Sequence, residues 1–112
     1  MLDEISMVHN VDEVLKSLPA RFNASSCEDL SMAVHWKLTG AEEREFTIFV
    51  DHGTFRLEEG AFDGADIEME TDSGVYLKLV NRKMKGLVAV MTRRLKVSGN
   101  LQLTTRWDRI FN

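Results

Sequence analysis

The apolar residues of this chain change their spacing near residue 72, and that change restricts the folds that the 112 residues can adopt. Upstream of it, apolar and polar residues alternate with a period of two in four segments, a pattern typical of half-buried strands. Downstream of it, apolar residues recur at helical spacing between Val75 and Val80 and again between Leu87 and Met91. The change predicts strands first and helices afterwards, which is the arrangement of an α+β domain.

The four alternating segments are separated by short connections that contain glycine. Connections such as Asp51-His52-Gly53 favour tight turns, so we expect hairpins and a meander of antiparallel strands with one apolar face and one wet face. Leu95 and Val97 alternate with polar residues and predict a fifth strand. The apolar positions of the four segments are Met32, Val34, Trp36 and Leu38; Phe46, Ile48 and Val50; Phe55 and Leu57; and Ile67 and Met69.

Helices are predicted on both sides of the four strands. An apolar stripe between residues 11 and 18 follows Asn10, a favourable N-cap, and Pro19 is expected to end or bend this first helix. Asp72 or Ser73 can cap the first helix after the strands, and the turn Gly99-Asn100 leads into the last helix. Residues 1–112 are therefore interpreted as a single α+β domain in which helices cover one face of a five-stranded, mostly antiparallel sheet.

The cysteine content and the hydropathy of the chain indicate where it resides. Cys27 is the only cysteine, so the chain cannot form an internal disulfide. No segment approaches the roughly 20 apolar residues that span a bilayer. The acidic start of the chain, residues 1–5, lacks the apolar core of a secretion signal. We therefore expect a cytoplasmic location.

Charge is divided unevenly along the chain. Residues 1–72 contain 5 Lys or Arg and 17 Asp or Glu, whereas residues 73–112 contain 9 Lys or Arg and a single acidic residue. This division predicts either separate acidic and basic faces or two halves of the chain whose charges mix in space.

A cluster of basic residues flanks the apolar segment 84–91. Such a cluster can bind a carboxylate, a phosphate or the head groups of an anionic membrane, with Arg93 and Arg94 as our candidates, or it can be a solvated face. Nucleic acid is not expected as a partner, because aromatic residues are not interleaved with the cations and the net charge of the chain is −4. The cluster consists of Arg82, Lys83, Lys85, Arg93, Arg94 and Lys96.

No residue pattern indicates catalysis, a metal site or a cofactor. His9, His35 and His52 are too scattered in the sequence to suggest ligands of one metal ion. Asp51 and His52 precede a glycine and are interpreted as part of a turn, and Cys27 has no recognisable base beside it. We therefore expect a protein that is not an enzyme and requires no cofactor.

Five features of the chain follow one another at a characteristic spacing. They are the hairpin at 50–53, the strand at 65–71, a helix that starts at Asp72, Lys83-Met84 followed by Ala89, and the pattern Leu-Lys-Val-x-Gly-Asn-Leu at residues 95–101. The last pattern is the most specific, and the spacing of the whole set matters more than any one member. Taken in order, these features resemble the lipid-binding domain of the type-two sterol carrier proteins, and the resemblance extends from residue 34 to residue 111.

The resemblance implies a sheet of five strands whose helices enclose an apolar tunnel, and non-catalytic binding of lipids such as fatty acyl chains, sterols and phospholipids. Between Met84 and Arg94 the sequence lacks the aromatic pair and the Gly- or Pro-containing loop of larger members, and it lacks a peroxisomal tag. A small free-standing version of the domain therefore fits best.

The helices carry more apolar surface than the short fifth strand can cover, and this excess either fills a core or lines a cavity. We predict that it lines the tunnel and that the ligand is a fatty acid, an acyl derivative or a sterol-like lipid. The alternative is a small homodimerising or partner-docking domain that uses the apolar helix 84–91 as its interface. The residues predicted to line the tunnel are Ile48, Phe55, Leu57, Ile67, Met69, Tyr76, Leu79, Val80, Met84, Leu87, Val90, Met91, Leu103, Trp107 and Phe111.

Overall fold

A computed structural model describes residues 7–111, apart from the side chains of Leu101 and Asp108, so the acidic start of the chain lies outside the described residues. An α+β domain with five strands is confirmed. The elements are α1 (Val11–Arg21), a 3-10 turn (Ala24–Ser26), β1 (Ser31–Thr39), β2 (Arg44–Asp51), β3 (Thr54–Glu59), β4 (Ile67–Asp72), α2 (Ser73–Val80), α3 (Gly86–Met91), β5 (Leu95–Gly99) and α4 (Leu101–Ile110).

The strands lie in the order β3-β2-β1-β4-β5. Three of the pairings are antiparallel, but β4 runs parallel to β1, so the sheet is mixed and the expected meander is wrong from β4 onward. The cause lies in residues 60–66, which return the chain past β2 and β1 and bring β4 to the far side of β1. The Phe62 ring packs 5.0 Å from the Phe49 ring on the outer face of the sheet. At the end of this crossover, the Asp66 carboxylate accepts a hydrogen bond from the Ala33 N–H at 2.8 Å.

The inner face of the sheet supplies most of the core. The register places Val34 between Ile48 and Ile67, and all three side chains are buried. The helix α2 covers this face with Tyr76, whose ring lies 4.8 Å from that of Trp36. The outer face carries most of the charged residues of the strands, as the alternation predicts.

The first helix begins as the sequence predicts and, of the two effects expected of Pro19, it does not end there. The Asn10 carboxamide oxygen accepts a hydrogen bond from the Glu13 N–H at 2.8 Å, and the Glu13 carboxylate accepts one from the His9 N–H at 2.8 Å. The helix continues through Pro19 to Arg21, so Pro19 does not end it. Because of this continuation, Arg21 belongs to the last turn of α1.

The Gly-Asn pair between β5 and α4 has a steric explanation. Gly99 has a φ of +106°, and a Cβ at this position would lie against the carbonyl oxygen of Asp66 at less than van der Waals distance. The next residue, Asn100, donates its N–H to that same carbonyl at 2.9 Å. The Asn100 side chain then accepts hydrogen bonds from the N–H groups of Gln102 and Leu103, which caps α4. Close backbone approach therefore requires glycine at 99.

We expect Gly99→Ala to lower the free energy of unfolding by at least roughly 1–3 kcal/mol, because the substitution combines left-handed backbone strain with a steric clash. Urea unfolding measures the change. The matched control is Gly86→Ala at the start of α3, where a Cβ would meet no atom within 4 Å. That variant is expected to be unchanged or more stable by up to about 1 kcal/mol. Equal effects of the two substitutions would contradict the steric explanation.

Candidate ligand cavity

A cavity of about 830 Å³ lies between the inner face of the sheet and the helices. Its volume falls within the roughly 300–1,000 Å³ typical of pockets that bind small molecules. Every helix and every strand except β3 contributes to its wall. The lining residues are Val14, Leu18, Arg21, Trp36, Ile48, Met69, Tyr76, Leu79, Val80, Arg82, Met84, Lys85, Gly86, Leu87, Val90, Leu95, Val97, Thr104, Thr105, Trp107 and Phe111.

The structure divides the residues predicted from the sequence into two groups. Those that line the cavity are Ile48, Met69, Tyr76, Leu79, Val80, Met84, Leu87, Val90, Trp107 and Phe111. The other five residues lie elsewhere. Phe55 packs its ring against Phe22 at 4.7 Å, Ile67 is fully buried in the core, Leu57 and Leu103 pack half-buried against the core, and Met91 is exposed.

Sequence reasoning missed apolar residues of α1, cations, and a further set of lining residues. That further set is Trp36, Gly86, Leu95, Val97, Thr104 and Thr105. Val14 and Leu18 were recognised as the apolar stripe of α1, but helical spacing does not say which strand or cavity that stripe faces. Arg21 was missed altogether, and Arg82 and Lys85 were placed in the basic cluster but not among the residues predicted to line the tunnel. The membership of Arg82 and Lys85 in the basic cluster was the one signal in the sequence that pointed to them.

The charges on the cavity wall all have one sign. Arg21, Arg82 and Lys85 line the cavity, and among the described residues no Asp or Glu does. The Arg21 Nε donates to the Ser17 hydroxyl at 2.8 Å, and its Nη1 donates to the Val80 carbonyl at 3.4 Å. Burial lowers the pKa of Arg21, but a guanidinium is so strongly basic that it stays charged at neutral pH. The wall is therefore suited to a ligand that is mostly apolar and carries an anionic group.

Aromatic side chains form the deep part of the wall. Tyr76 is buried, and this burial raises the pKa of its phenol, so the hydroxyl remains neutral. The Trp36 indole packs against the Tyr76 ring, and its Nε1 has no hydrogen-bond partner among residues 7–111. Because aromatic rings make up this part of the wall, it is suited to contact the apolar chain of a ligand.

The cavity reaches the surface beside α3. The exposed residues of its lining are Arg82, Lys85, Leu87, Val90 and Thr105, which belong to the segment 82–90 and to the first half of α4. Its mouth therefore lies between α3 and α4. Arg93 and Arg94, our candidates for binding a head group, follow the C-terminal end of α3 in the sequence. Both are exposed, and neither lines the cavity.

The remaining candidate residues lie away from this cavity. The His35 Nε2 is 2.7 Å from a carboxylate oxygen of Glu45 on the outer face of the sheet. Cys27 is buried, and its Sγ donates to the Ala24 carbonyl at 3.5 Å. Within the described part of the chain, no group of His, Cys, Asp or Glu is arranged to hold a metal ion. No helix described here has the length and hydropathy needed to cross a membrane.

A mixed five-stranded sheet, helices on its inner face and an apolar cavity between them define a small α+β ligand-binding domain. The sequence matches the SCP-2 sterol transfer family over residues 13–112, and the chain belongs to this family. The resemblance noted in the sequence is thereby confirmed. Lipid binding and transfer are the general role of the family.

Proteins similar to this chain in sequence or in fold differ widely in length. Hydroxysteroid dehydrogenase-like protein 2 of Xenopus tropicalis is 25% identical over 101 residues, which are 89% of this chain and 24% of that protein. The sec-alkylsulfatase Pisa1 from Pseudomonas sp. has a TM-score of 0.77 at 14% identity, over 90% of this chain and 16% of that one. Palmitated SCP2L2 from Aedes aegypti has a TM-score of 0.74 at 11% identity, over 90% of this chain and 93% of that one. This chain therefore spans about a quarter or less of the first two of these proteins.

Proposed function

We propose that this protein binds an anionic single-chain lipid, a fatty acid or an acyl derivative, in the cavity between sheet and helices, and carries it without chemical change. The observation that carries the proposal is the cavity wall itself, which is apolar except for three cations and two threonines. An apolar chain bound there would be removed from water, and its acidic end would meet a guanidinium.

The free energy for such binding comes mainly from the chain of the ligand. Each buried methylene contributes about 0.8 kcal/mol before ordering costs. A charged hydrogen bond from the half-buried guanidinium of Arg21 to a carboxylate would add roughly 1.5–3 kcal/mol. We therefore expect chain length to set the affinity, and the charge on the head group to set the orientation of the ligand.

One comparison and one observation of this structure support a carrier. The solved Aedes aegypti structure is described as palmitated SCP2L2, and its fold covers nearly the whole of both chains. The residues considered for catalysis or metal binding all lie outside the cavity lining, and they are His9, Cys27, His35, Asp51 and His52. The enclosed tunnel and the cytoplasmic location predicted from the sequence stay predictions.

Native mass spectrometry of the purified protein tests the proposal. We expect species heavier than the polypeptide by the mass of a long-chain fatty acid, and we expect the added mass to disappear after organic extraction. The extracted protein should then bind a fluorescent fatty acid, and palmitate should displace that probe. Protein that is free of lipid and neither binds the probe nor responds to palmitate would contradict the proposal. If that protein is also a dimer, the alternative of a dimerisation domain is favoured.

A further inference from the structure

The helix α3 presents most of its apolar side chains to solvent. Leu87 and Met91 are 71% and 73% exposed, and Val88 and Val90 are also exposed. Only Ala89 is buried in this six-residue helix. Isolated apolar residues are common on protein surfaces, but four within five positions form a contiguous patch, and such patches mark sites of interaction.

Cations surround this patch on both sides. Arg82, Lys83 and Lys85 precede α3, Arg93 and Arg94 follow it, and all five side chains are exposed. None of the ion pairs among residues 7–111 involves them. The sequence contains no Asp or Glu between residues 73 and 107. We refer to the four apolar residues of α3 and these five cations as the α3 surface.

We propose that the α3 surface docks on an anionic phospholipid bilayer, with its apolar side chains inserted among the head groups and its cations on the surrounding phosphates. This inference rests on the proposed function and names the partner from which the lipid comes. A helix of six residues is about 9 Å long, too short to span a bilayer, but side chains of this kind insert to a depth of roughly 5–10 Å. Basic residues beside an apolar face are the combination that anionic lipids attract.

Charge favours a bilayer over a second copy of the chain. A two-fold dimer through α3 would bring the five cations of one copy towards the same five of the other, without any acidic residue in the surface to pair with them. Phospholipid head groups supply the missing negative charge.

The α3 surface and the cavity share residues. Leu87, Val90, Arg82 and Lys85 belong to the surface and also line the mouth of the cavity. Docking through α3 would therefore place the mouth against the bilayer. A lipid could then enter the cavity with its acyl chain shielded from water throughout, and its acidic head would pass cations along the way.

Co-flotation with vesicles tests the docking. We expect the wild type to float with vesicles that contain phosphatidylglycerol, to bind vesicles of phosphatidylcholine alone much less, and to dissociate as salt rises. Arg93→Glu combined with Arg94→Glu should weaken binding at least about tenfold. The control with the same change of charge is Lys16→Glu combined with Arg109→Glu, which alters two exposed cations outside the α3 surface. This control should bind within about twofold of the wild type.

The apolar part of the surface is tested separately. Leu87→Ser combined with Met91→Ser should weaken vesicle binding at least about fivefold without lowering the melting temperature, since both side chains are exposed. Its control is Phe62→Ser, which removes an exposed apolar side chain from the outer face of the sheet. That variant should keep vesicle binding.

A site-specific label reports insertion directly. Because Cys27 is buried, Leu87→Cys supplies the only accessible thiol for an environment-sensitive fluorophore. Its emission should shift to the blue with anionic vesicles, whereas the same label at Glu43→Cys, in an exposed turn, should not respond.

The outcomes separate docking from lipid binding. Wild-type protein that binds a fluorescent fatty acid in solution but ignores anionic vesicles overturns the docking proposal alone. Vesicle binding without fatty-acid binding supports docking and contradicts the proposed function. A wild type that ignores vesicles and is a dimer, which Leu87→Ser with Met91→Ser converts to a monomer, would show that α3 is an interface between copies and overturn docking.

Discussion

Val97→Trp is expected to remove most of the fatty-acid binding while leaving the protein at least as stable as the wild type. Val97 lies on the inner face of β5 opposite Met69, is half-buried, and lines the cavity. An indole there would occupy space that the ligand needs. Displacing only two methylenes of the ligand would cost about 1.6 kcal/mol, which is slightly more than a tenfold loss of affinity. Displacement of a fluorescent fatty acid gives the affinity, and thermal unfolding gives the stability.

Two matched tryptophan substitutions act as controls. Ile67→Trp places the same side chain on the neighbouring strand at a fully buried position outside the cavity, where overpacking costs about 1–3 kcal/mol and lowers the melting temperature by several degrees. Met91→Trp changes an exposed residue outside the lining and should alter neither quantity. If Val97→Trp lowers the melting temperature as much as Ile67→Trp and keeps the affinity, the space beside Val97 is ordinary core.

The spacing of the apolar residues predicts the strands and helices of this protein, but it does not predict which strands lie side by side in the sheet. Alternation identified β4 as a half-buried strand, and the same alternation would fit a strand beside β3 or beside β1. Which strand β4 pairs with depends on how residues 60–66 cross the outer face of the sheet, where the Phe62 ring packs against the Phe49 ring. No local sequence pattern predicts this contact. A two-residue period fixes the two faces of a strand and leaves its partner open.

The site shows the same limit in its helices. Leu87 and Met91 are four residues apart and share one side of α3, as helical spacing predicts. Spacing does not decide whether that side faces the core or the solvent. In the structure Leu87 and Met91 are exposed, and Ala89 is the buried residue of α3. The predicted head-group residues followed local clustering of charge, which favoured Arg93 and Arg94. Arg21 is a single cation at the end of α1, and only the tertiary fold brings it to the cavity.

Arg21→Met is expected to lower the affinity for a fatty acid about tenfold or more and to leave the affinity for its methyl ester unchanged. Methionine keeps an unbranched apolar stem in the wall and removes the guanidinium, whose hydrogen bond to a carboxylate contributes roughly 1.5–3 kcal/mol. The ester cannot carry the negative charge, so the ratio of the two affinities measures the charge interaction alone. Arg93→Met is the control, because Arg93 does not line the cavity.

The pH dependence of that ratio gives a second, independent test. A carboxylic acid loses its charge as the pH falls through about 4–5. Arg21 stays protonated throughout that range, because the pKa of its guanidinium remains far above it even though burial lowers that pKa. The preference of the wild type for the acid over the ester should therefore fade as the pH drops through that window, and Arg21→Met should show little preference at any pH. If the preference persists in Arg21→Met but is lost in Arg93→Met, the anionic end of the ligand is bound outside the cavity, at the basic cluster that the sequence first suggested.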